Sequence, residues 1–292
     1  FPSSGHTRDE KESVLMKKVS TLAVPYIVWA VLMLAIPMIL ILFYSATKDG
    51  NGILKVSFTL ENYIRFFTDK DFLLVLWNSV KIALKTTIIC IVIGYPIAYF
   101  ISQSSDKVRN LLILLITMPM WINMLVRTYA WIGILSEGGI AQKVLGIFGM
   151  GDAKLLYTEG AVLLGMVYNF IPFMILQINS SLTKMDSSLI EASMDLGADA
   201  KKTFMKVTLP LSMPGVISGI SLVVLPCISS FFIPKMLGGG RFFLIGNAIE
   251  NQFITVGEWS FGSAISVIMA IIMMLSIYAV RAMEKRNSER GE

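Results

Sequence analysis

Few residues in this chain suit bond-making chemistry. Its one histidine, His6, lies in a polar N-terminal stretch, and its two cysteines, Cys90 and Cys227, both sit inside apolar runs. They read as small buried hydrophobes rather than a disulfide framework. Neither a Ser/His/Asp nor a Cys/His arrangement is available, so no catalysis and no metal site are expected. Gly238-Gly239-Gly240 resembles a phosphate loop only superficially. The Gly-x-x-x-x-Gly-Lys-Ser/Thr frame occurs nowhere in the chain, so any nucleotide has to bind on another one. What remains is chemistry of docking. Ser188-x-x-Glu191 fits a capping box, Leu189, Ala192 and Leu196 fall on one helical face, and Gly197 stands where a helix needs a left-handed terminator. A second short helix leads from there to Leu209-Pro210. Residues 186–210 therefore predict a compact helix–turn–helix. Its small residues Ala192 and Ser193 would admit another surface closely.

The elements that carry this knob are apolar. Of 292 residues, 55% are hydrophobic and 15% charged, against about 25% charged in an ordinary soluble domain. Six stretches are long enough to cross a bilayer, which needs about 20 apolar residues per helix: Leu22–Tyr44, Ile82–Ile101, Leu111–Leu125, Ala161–Ile178, Met213–Ile233 and Phe261–Val280. The third is short and either runs on into Thr128–Leu135 or pairs with a broken segment there. The fold expected is all-α, a polytopic membrane protein. The first stretch exceeds a signal-peptide core and no small-x-small site follows, so it reads as a retained anchor. Residues 1–13 read as polar and disordered.

Lys and Arg set the orientation. With both termini cytoplasmic, inner segments hold 14 basic residues in 76, outer ones 10 in 99, a bias that favours this topology. It leaves a cytoplasmic segment 1–21, a transmembrane domain 22–280 and a cytoplasmic tail 281–292, and puts the knob inside. The net charge of +5 is then loop charge, with no nucleic-acid partner implied. Outside, Leu60, Tyr63, Ile64 and Phe67 recur at helical spacing after Thr59, predicting a short amphipathic surface helix capped by Thr59. Gly215-x-x-x-Gly219 is a small-residue stripe through which the fifth span meets a neighbouring helix, in this chain or across a dimer.

On these residues the chain resembles the permease subunits of type I ATP-binding-cassette importers. The family pattern is Glu-Ala-Ala, three residues, Gly, nine residues, Ile, one residue, Leu-Pro. Here stand Glu191-Ala192-Ser193, Gly197, Val207 and Leu209-Pro210, departing at Ser193 and Val207 by small changes of volume. Phe58-Thr59-Leu60-Glu61-Asn62-Tyr63, Gly94-Tyr95-Pro96-Ile97-Ala98-Tyr99, Leu237-Gly238-Gly239 and Trp259-Ser260-Phe261-Gly262 are similar to permeases of spermidine/putrescine importers.

The resemblance implies a bacterial inner-membrane pore subunit with no cofactor of its own. ATP and Mg would be bound by two partner ATPase subunits, beside a homologous second permease chain and an extracytoplasmic polyamine-binding protein. It gives Glu191, Ala192, Ser193, Gly197, Leu209 and Pro210 an ATPase-coupling role, Glu191 meeting a basic group of the ATPase. The simpler role for Glu191 is that of a capping carboxylate. A polyamine path needs polar or aromatic groups, and the spans contain no Asp or Glu. Trp121, Phe231, Phe232, Asn123 and Tyr168 are the candidates for path or gate, with Asn169 and Gln177 as further polar groups. Outer acids Asp152, Glu159, Glu250 and Glu258 would attract cargo or meet the binding protein. Another cargo in the same importer class (amino acid, phosphonate, iron or sugar) and a standalone secondary transporter are the alternatives. The latter normally requires intramembrane ionisable groups.

Overall fold

The computed structural model describes residues 6–48 and 57–288, with side chains for 24–48 and 57–282. Every regular element among them is helical, apart from one isolated bridge between Thr47 and Phe58. Lipid offers no partner to open backbone groups, so a chain this apolar must close its hydrogen bonds within helices. Five helical stretches are long and apolar enough to cross a membrane: Val24–Ser45, Lys70–Ser102, Glu159–Thr183, Ala200–Ser229 and Trp259–Ala282.

The expected third span is broken. Helix α4 (Asp106–Thr117) passes into a 3-10 turn at Met118–Trp121, and α5 (Met124–Leu135) leaves at a new angle. The two limbs, Asp106–Trp121 and Met124–Ile147, are bent by 92°. Ile122 is extended, and Asn123 restarts the helix by accepting the Leu125 N–H at 2.8 Å. So Leu111–Leu125 is not one straight helix. The prediction of a broken segment there is the one the structure follows. The fifth span also starts and ends earlier than expected. Helix α10 (Leu209–Ser229) ends at Ser230, and Phe231 and Phe232 lead into a separate short helix, α11 (Phe232–Leu237).

At the centre, α7 (Glu159–Thr183) packs against both α3 (Lys70–Ser102) and α10. Val162, Met166, Met174 and Ile178 of α7 are fully buried. The small-residue stripe makes this approach close. A Cβ on Gly215 would lie 2.5 Å from the Ser181 Cβ and 2.7 Å from the Gln177 carbonyl oxygen. Gly219 meets Met174 in the same way. Thus the stripe serves packing within this chain, against α7.

Helix α1 (His6–Ser45) rests on α13 (Trp259–Ser288) and leaves a broad apolar surface open. It starts at His6, so residues 6–13 are helical, not disordered as their polarity suggested; residues 1–5 lie outside the described residues. Its far end is clamped. Asn62 Nδ2 donates to the Thr47 carbonyl at 2.9 Å, the Tyr63 hydroxyl donates to Ser45 Oγ at 2.7 Å, and Thr47 Oγ1 meets Ser260 Oγ at 3.2 Å. The first two bonds come from α2 (Glu61–Thr68), the predicted surface helix, and the third from α13. Thr59 Oγ1 accepts the Glu61 N–H at 3.1 Å. The apolar stripe of α2 is turned outward: Leu60, Ile64 and Phe67 are exposed, and Phe66 is buried instead. Arg65 lies 4.2 Å above the Phe261 ring and pairs with Glu258, which fixes that rotation.

Gly238–Gly240 is a packed turn. Gly239 has a φ of +57° and lies against the Tyr157 ring, leaving no room for a side chain.

Candidate functional site

Two places gather the candidate residues: the knob between α7 and α10, and the breaks that interrupt the membrane helices.

The knob is built around α8 (Ser187–Asp195). Its N-cap is Asp186, whose carboxylate accepts the Ser188 N–H at 2.9 Å. That hydrogen bonding from Ser188 holds the Asp186 carboxyl below its ordinary range. The expected Ser188/Glu191 capping box is therefore not the one used. A stronger acceptor two residues before Ser188 takes the orphan N–H, which leaves Glu191 free of capping duty. The C-terminus closes with two reverse bonds: Ala198 N–H to the Ser193 carbonyl at 3.2 Å, and Gly197 N–H to the Met194 carbonyl at 2.9 Å. This is the Schellman arrangement, and it requires the φ of +82° that Gly197 adopts.

After the reversal, Asp199 caps α9 (Ala200–Thr203), accepting the Lys202 N–H at 2.7 Å. The second loop helix is not separate from the fifth span. A π turn at Phe204–Thr208 joins α9 to α10, with the Leu209 N–H reaching back to the Phe204 carbonyl. Pro210 brings no N–H to the helix, so the ordinary i to i−4 bond is missing at this point, and the wider turn carries the chain past it.

Three sets of contacts order the knob and the bundle beneath it. Ser193 Oγ lies 3.1 Å from Thr203 Oγ1, tying α8 to α9. Phe204 sets its ring edge-on against Tyr95 and Tyr99, with centroids 5.9 and 5.3 Å apart. The Tyr95 hydroxyl and Ser212 Oγ are 2.7 Å apart and buried, joining α3 to α10. In contrast, the outer surface of α8 is open. Leu189 and Met194 are about half exposed, and Leu196 is 90% exposed. Glu191 is exposed and has no ion pair or hydrogen-bond partner for its side chain among the described residues.

At the second place, α5 and α11 pack on each other and on α7. The Trp131 and Tyr168 rings meet at 5.4 Å, bringing Tyr168 to α5. Phe231 is 43% exposed, and its carbonyl accepts from Asn247 Nδ2 at 2.8 Å. That bond closes a backbone group left open at the α10–α11 break. Trp121, on the other side of the α4–α5 break, is 81% exposed, and no ring packs on it among the described residues. The structure thus brings Tyr168 and the α11 segment to α5. No ring contact or side-chain hydrogen bond joins Trp121 or Asn123 to Phe231 or Phe232 among the described residues.

The outer acids are mostly engaged. Glu159 pairs with Lys85, Glu250 with Lys235 at 2.6 Å and Glu258 with Arg65 at 2.7 Å. Of the four, Asp152 alone has no partner among the described residues. Three of the acids expected to meet cargo or a binding protein are already neutralised by this chain's own cations.

Comparison with known proteins decides what such a molecule is. Residues 90–289 match the family described as the inner membrane component of binding-protein-dependent transport systems. The chain belongs to that family. The spermidine/putrescine transport system permease protein PotB of Salmonella typhimurium strain SL1344 is 38% identical over 268 residues, covering 89% of this chain and 93% of the relative. PotB of Haemophilus influenzae is 40% identical over 253 residues, covering 86% and 88%. Among solved structures, a chain of a bacterial ABC transporter involved in the import of the acidic polysaccharide alginate superposes with a TM-score of 0.78 at 14% identity, covering 96% of this chain and 99% of that one. At that identity the likeness speaks for fold alone. This permease is a multi-pass protein of the bacterial inner membrane.

Several residues that build the permease's knob gave little signal in sequence. Phe204 and Thr203 lie in the unspecified stretch of the family pattern. Ser193 reads as a tolerated departure until its bond to Thr203 is seen. Asp186 was available as a cap by the same reasoning that favoured Ser188.

Proposed function

We infer that this permease forms half of the pore of a polyamine importer. It takes spermidine or putrescine from an extracytoplasmic binding protein and is driven by ATP hydrolysis on separate cytoplasmic ATPases. The observation that carries the reading is the α8 knob: an apolar, unpartnered surface with a free carboxylate at Glu191, held at a fixed angle by the Gly197 reversal. The polyamine assignment is supported by the two PotB relatives, which the chain matches over most of its length.

In this reading Glu191, Ala192, Ser193 and Gly197 seat α8 in a cleft of the ATPase, and Leu209-Pro210 passes its movement into the fifth span. Both termini and the knob face the cytoplasm, flanking a transmembrane domain of residues 22–280. A second, related permease completes the pore. Trp121, Asn123, Tyr168, Phe231 and Phe232 line or gate the path, with aromatic faces available to ammonium groups. The pore chain binds no ATP or Mg itself; those belong to the ATPase partners.

Uptake of labelled spermidine by vesicles carrying the assembled importer, with unlabelled competitors, tests the assignment. Competition by spermidine and putrescine is the expected result. Failure of both to compete would remove the polyamine cargo while leaving the importer class in place.

A further inference from the structure

Charge is scarce in the apolar spans, and in α3, α4 and α7 the acids stand in first turns: Asp71, Asp106 and Glu159. Each lies at a helix end, and Glu159 is taken by Lys85. One cation sits differently. Arg127 lies in α5, one turn past the break, its backbone N–H donating to the Asn123 carbonyl at 3.2 Å. It is half-buried, and its Nε is closed off from solvent without an acceptor. No ion pair or side-chain hydrogen bond among the described residues engages its guanidinium. Arg109 shows the contrast: its Nε is also unpaired, but its other nitrogens reach Asp106 at 3.0 Å and the Ser102 and Ser104 carbonyls at 3.3 and 3.0 Å.

A guanidinium carries five donors and cannot shed its charge. Held beside an apolar span without an acceptor, it is a costly group and needs a counter-ion from elsewhere. The neighbouring positions Leu125, Val126 and Tyr129 are all exposed, so this part of α5 is open in the single chain. A polyamine cargo has the same need, since its ammonium groups must meet an anion on the way through and this chain offers none inside its spans. One group answers both demands.

We propose that a carboxylate of the second permease chain pairs with Arg127 when the pore is empty, and that cargo ammonium groups take over that carboxylate during passage. This rests on the polyamine reading above. Arg127 is then a positioning residue that holds the carboxylate in place with its charge compensated until a cation replaces it.

The test uses the complete importer in vesicles, with labelled spermidine and saturating binding protein. Arg127→Glu lowers uptake by about tenfold or more, and Arg127→Lys keeps most of it. Each Asp and Glu in the membrane helices of the second permease is then changed singly to Lys in the Arg127→Glu background. One of these restores uptake or, if Arg127→Glu does not assemble, restores assembly. Finally, Arg127→Met is combined with neutralisation of the carboxylate so found. The doubly neutral importer assembles and transports spermidine about tenfold more slowly, because the cargo's own anion is gone.

The pairing is overturned if Arg127→Glu transports normally, if no Lys substitution rescues it, or if changing only the anionic lipid content of the vesicles reproduces its defect, which would make a lipid phosphate the counter-ion. The cargo role is overturned if the doubly neutral importer runs at the wild-type rate. A wild-type importer indifferent to unlabelled spermidine would instead sink the polyamine reading.

Discussion

Replacing Gly197 by alanine isolates the backbone requirement of the α8–α9 reversal. A Cβ at this position meets no atom within 4 Å, so the substitution creates no clash and removes no contact. What it changes is conformational. The φ of +82° is one an L side chain rarely adopts, and forcing it costs about 1–2 kcal/mol. Two hydrogen bonds, from Gly197 and Ala198 back to Met194 and Ser193, depend on that geometry. A penalty of this size shifts the balance between reversed and unreversed turns by roughly 5–30-fold. Because the knob stands outside the bundle, assembly is expected to survive. In the proposed function, what suffers is the angle at which α8 meets the ATPase. In reconstituted vesicles, spermidine imported per ATP hydrolysed should fall several-fold for Gly197→Ala. Gly197→Asn should fall less, since asparagine tolerates the left-handed region better than alanine. If alanine, asparagine and glycine give the same coupling ratio, the reversal is not what orients the knob, and the reasoning fails.

Other outcomes follow from the same geometry. Glu191→Lys is expected to leave the permease inserted while lowering binding-protein-stimulated ATP hydrolysis at least tenfold, read in the assembled complex; unchanged stimulation would remove the docking role. Ser193→Ala deletes the hydroxyl pair with Thr203 and should weaken the knob by about 1 kcal/mol, seen as faster amide exchange in α8 without loss of thermal stability of the bundle. Gly215→Ala places a methyl group against Ser181 and the Gln177 backbone and should cost about 1–3 kcal/mol, read as a lower melting temperature of the purified complex in detergent. Asp186 predicts a pH dependence. Its carboxyl is lowered, so the stabilisation it gives is complete above the ordinary aspartate value and is lost progressively as the pH falls from there through the lowered value. Exchange protection of the first turn of α8 should therefore hold into mildly acidic buffer and collapse only beyond it, and Asp186→Ala should lack that step.

Much of this was legible because membrane helices must be long and apolar, so composition alone locates them. The breaks were harder to place. Ser230 carries no breaker signal, and Pro226 lies one turn before the place where α10 ends, while Pro96, Pro172 and Pro214 stay inside continuous helices. In a bundle, neighbouring helices satisfy the groups a proline frees, so proline marks a possibility rather than a position. The rotation of the outer helix was hard to read for a related reason. Amphipathicity gave its existence, but in a membrane protein an apolar face need not be the inward one, and the Arg65 contacts to Glu258 and Phe261 chose Phe66 as the buried residue. Motif residues with a unique backbone demand, such as Gly197, could be read directly. Residues that hold the motif by ordinary contacts, such as Phe204 and Thr203, could not, since nothing in their type announces the partner.

The two candidate places are mechanically connected. Residues Ala200–Ser229 form one helical stretch, which at about 1.5 Å per residue is about 45 Å long. Its cytoplasmic end, in the proposed topology, carries Thr203 and Phe204, which hold the knob; its other end stops at Ser230, immediately before Phe231 and Phe232. A rod of this length pinned near one end by Tyr95 and Ser212 converts a small displacement of the knob into a larger one at the break. The π turn at Phe204–Thr208 lies between the knob and the pin, so it is the part of the rod that must not yield. Stiffening it should leave coupling intact, whereas a helix-weakening Lys206→Gly should lower transport per ATP without changing assembly. Equal coupling in Lys206→Gly and wild type would mean that the stroke reaches the path by another helix, most directly through α3, on which Phe204 also rests.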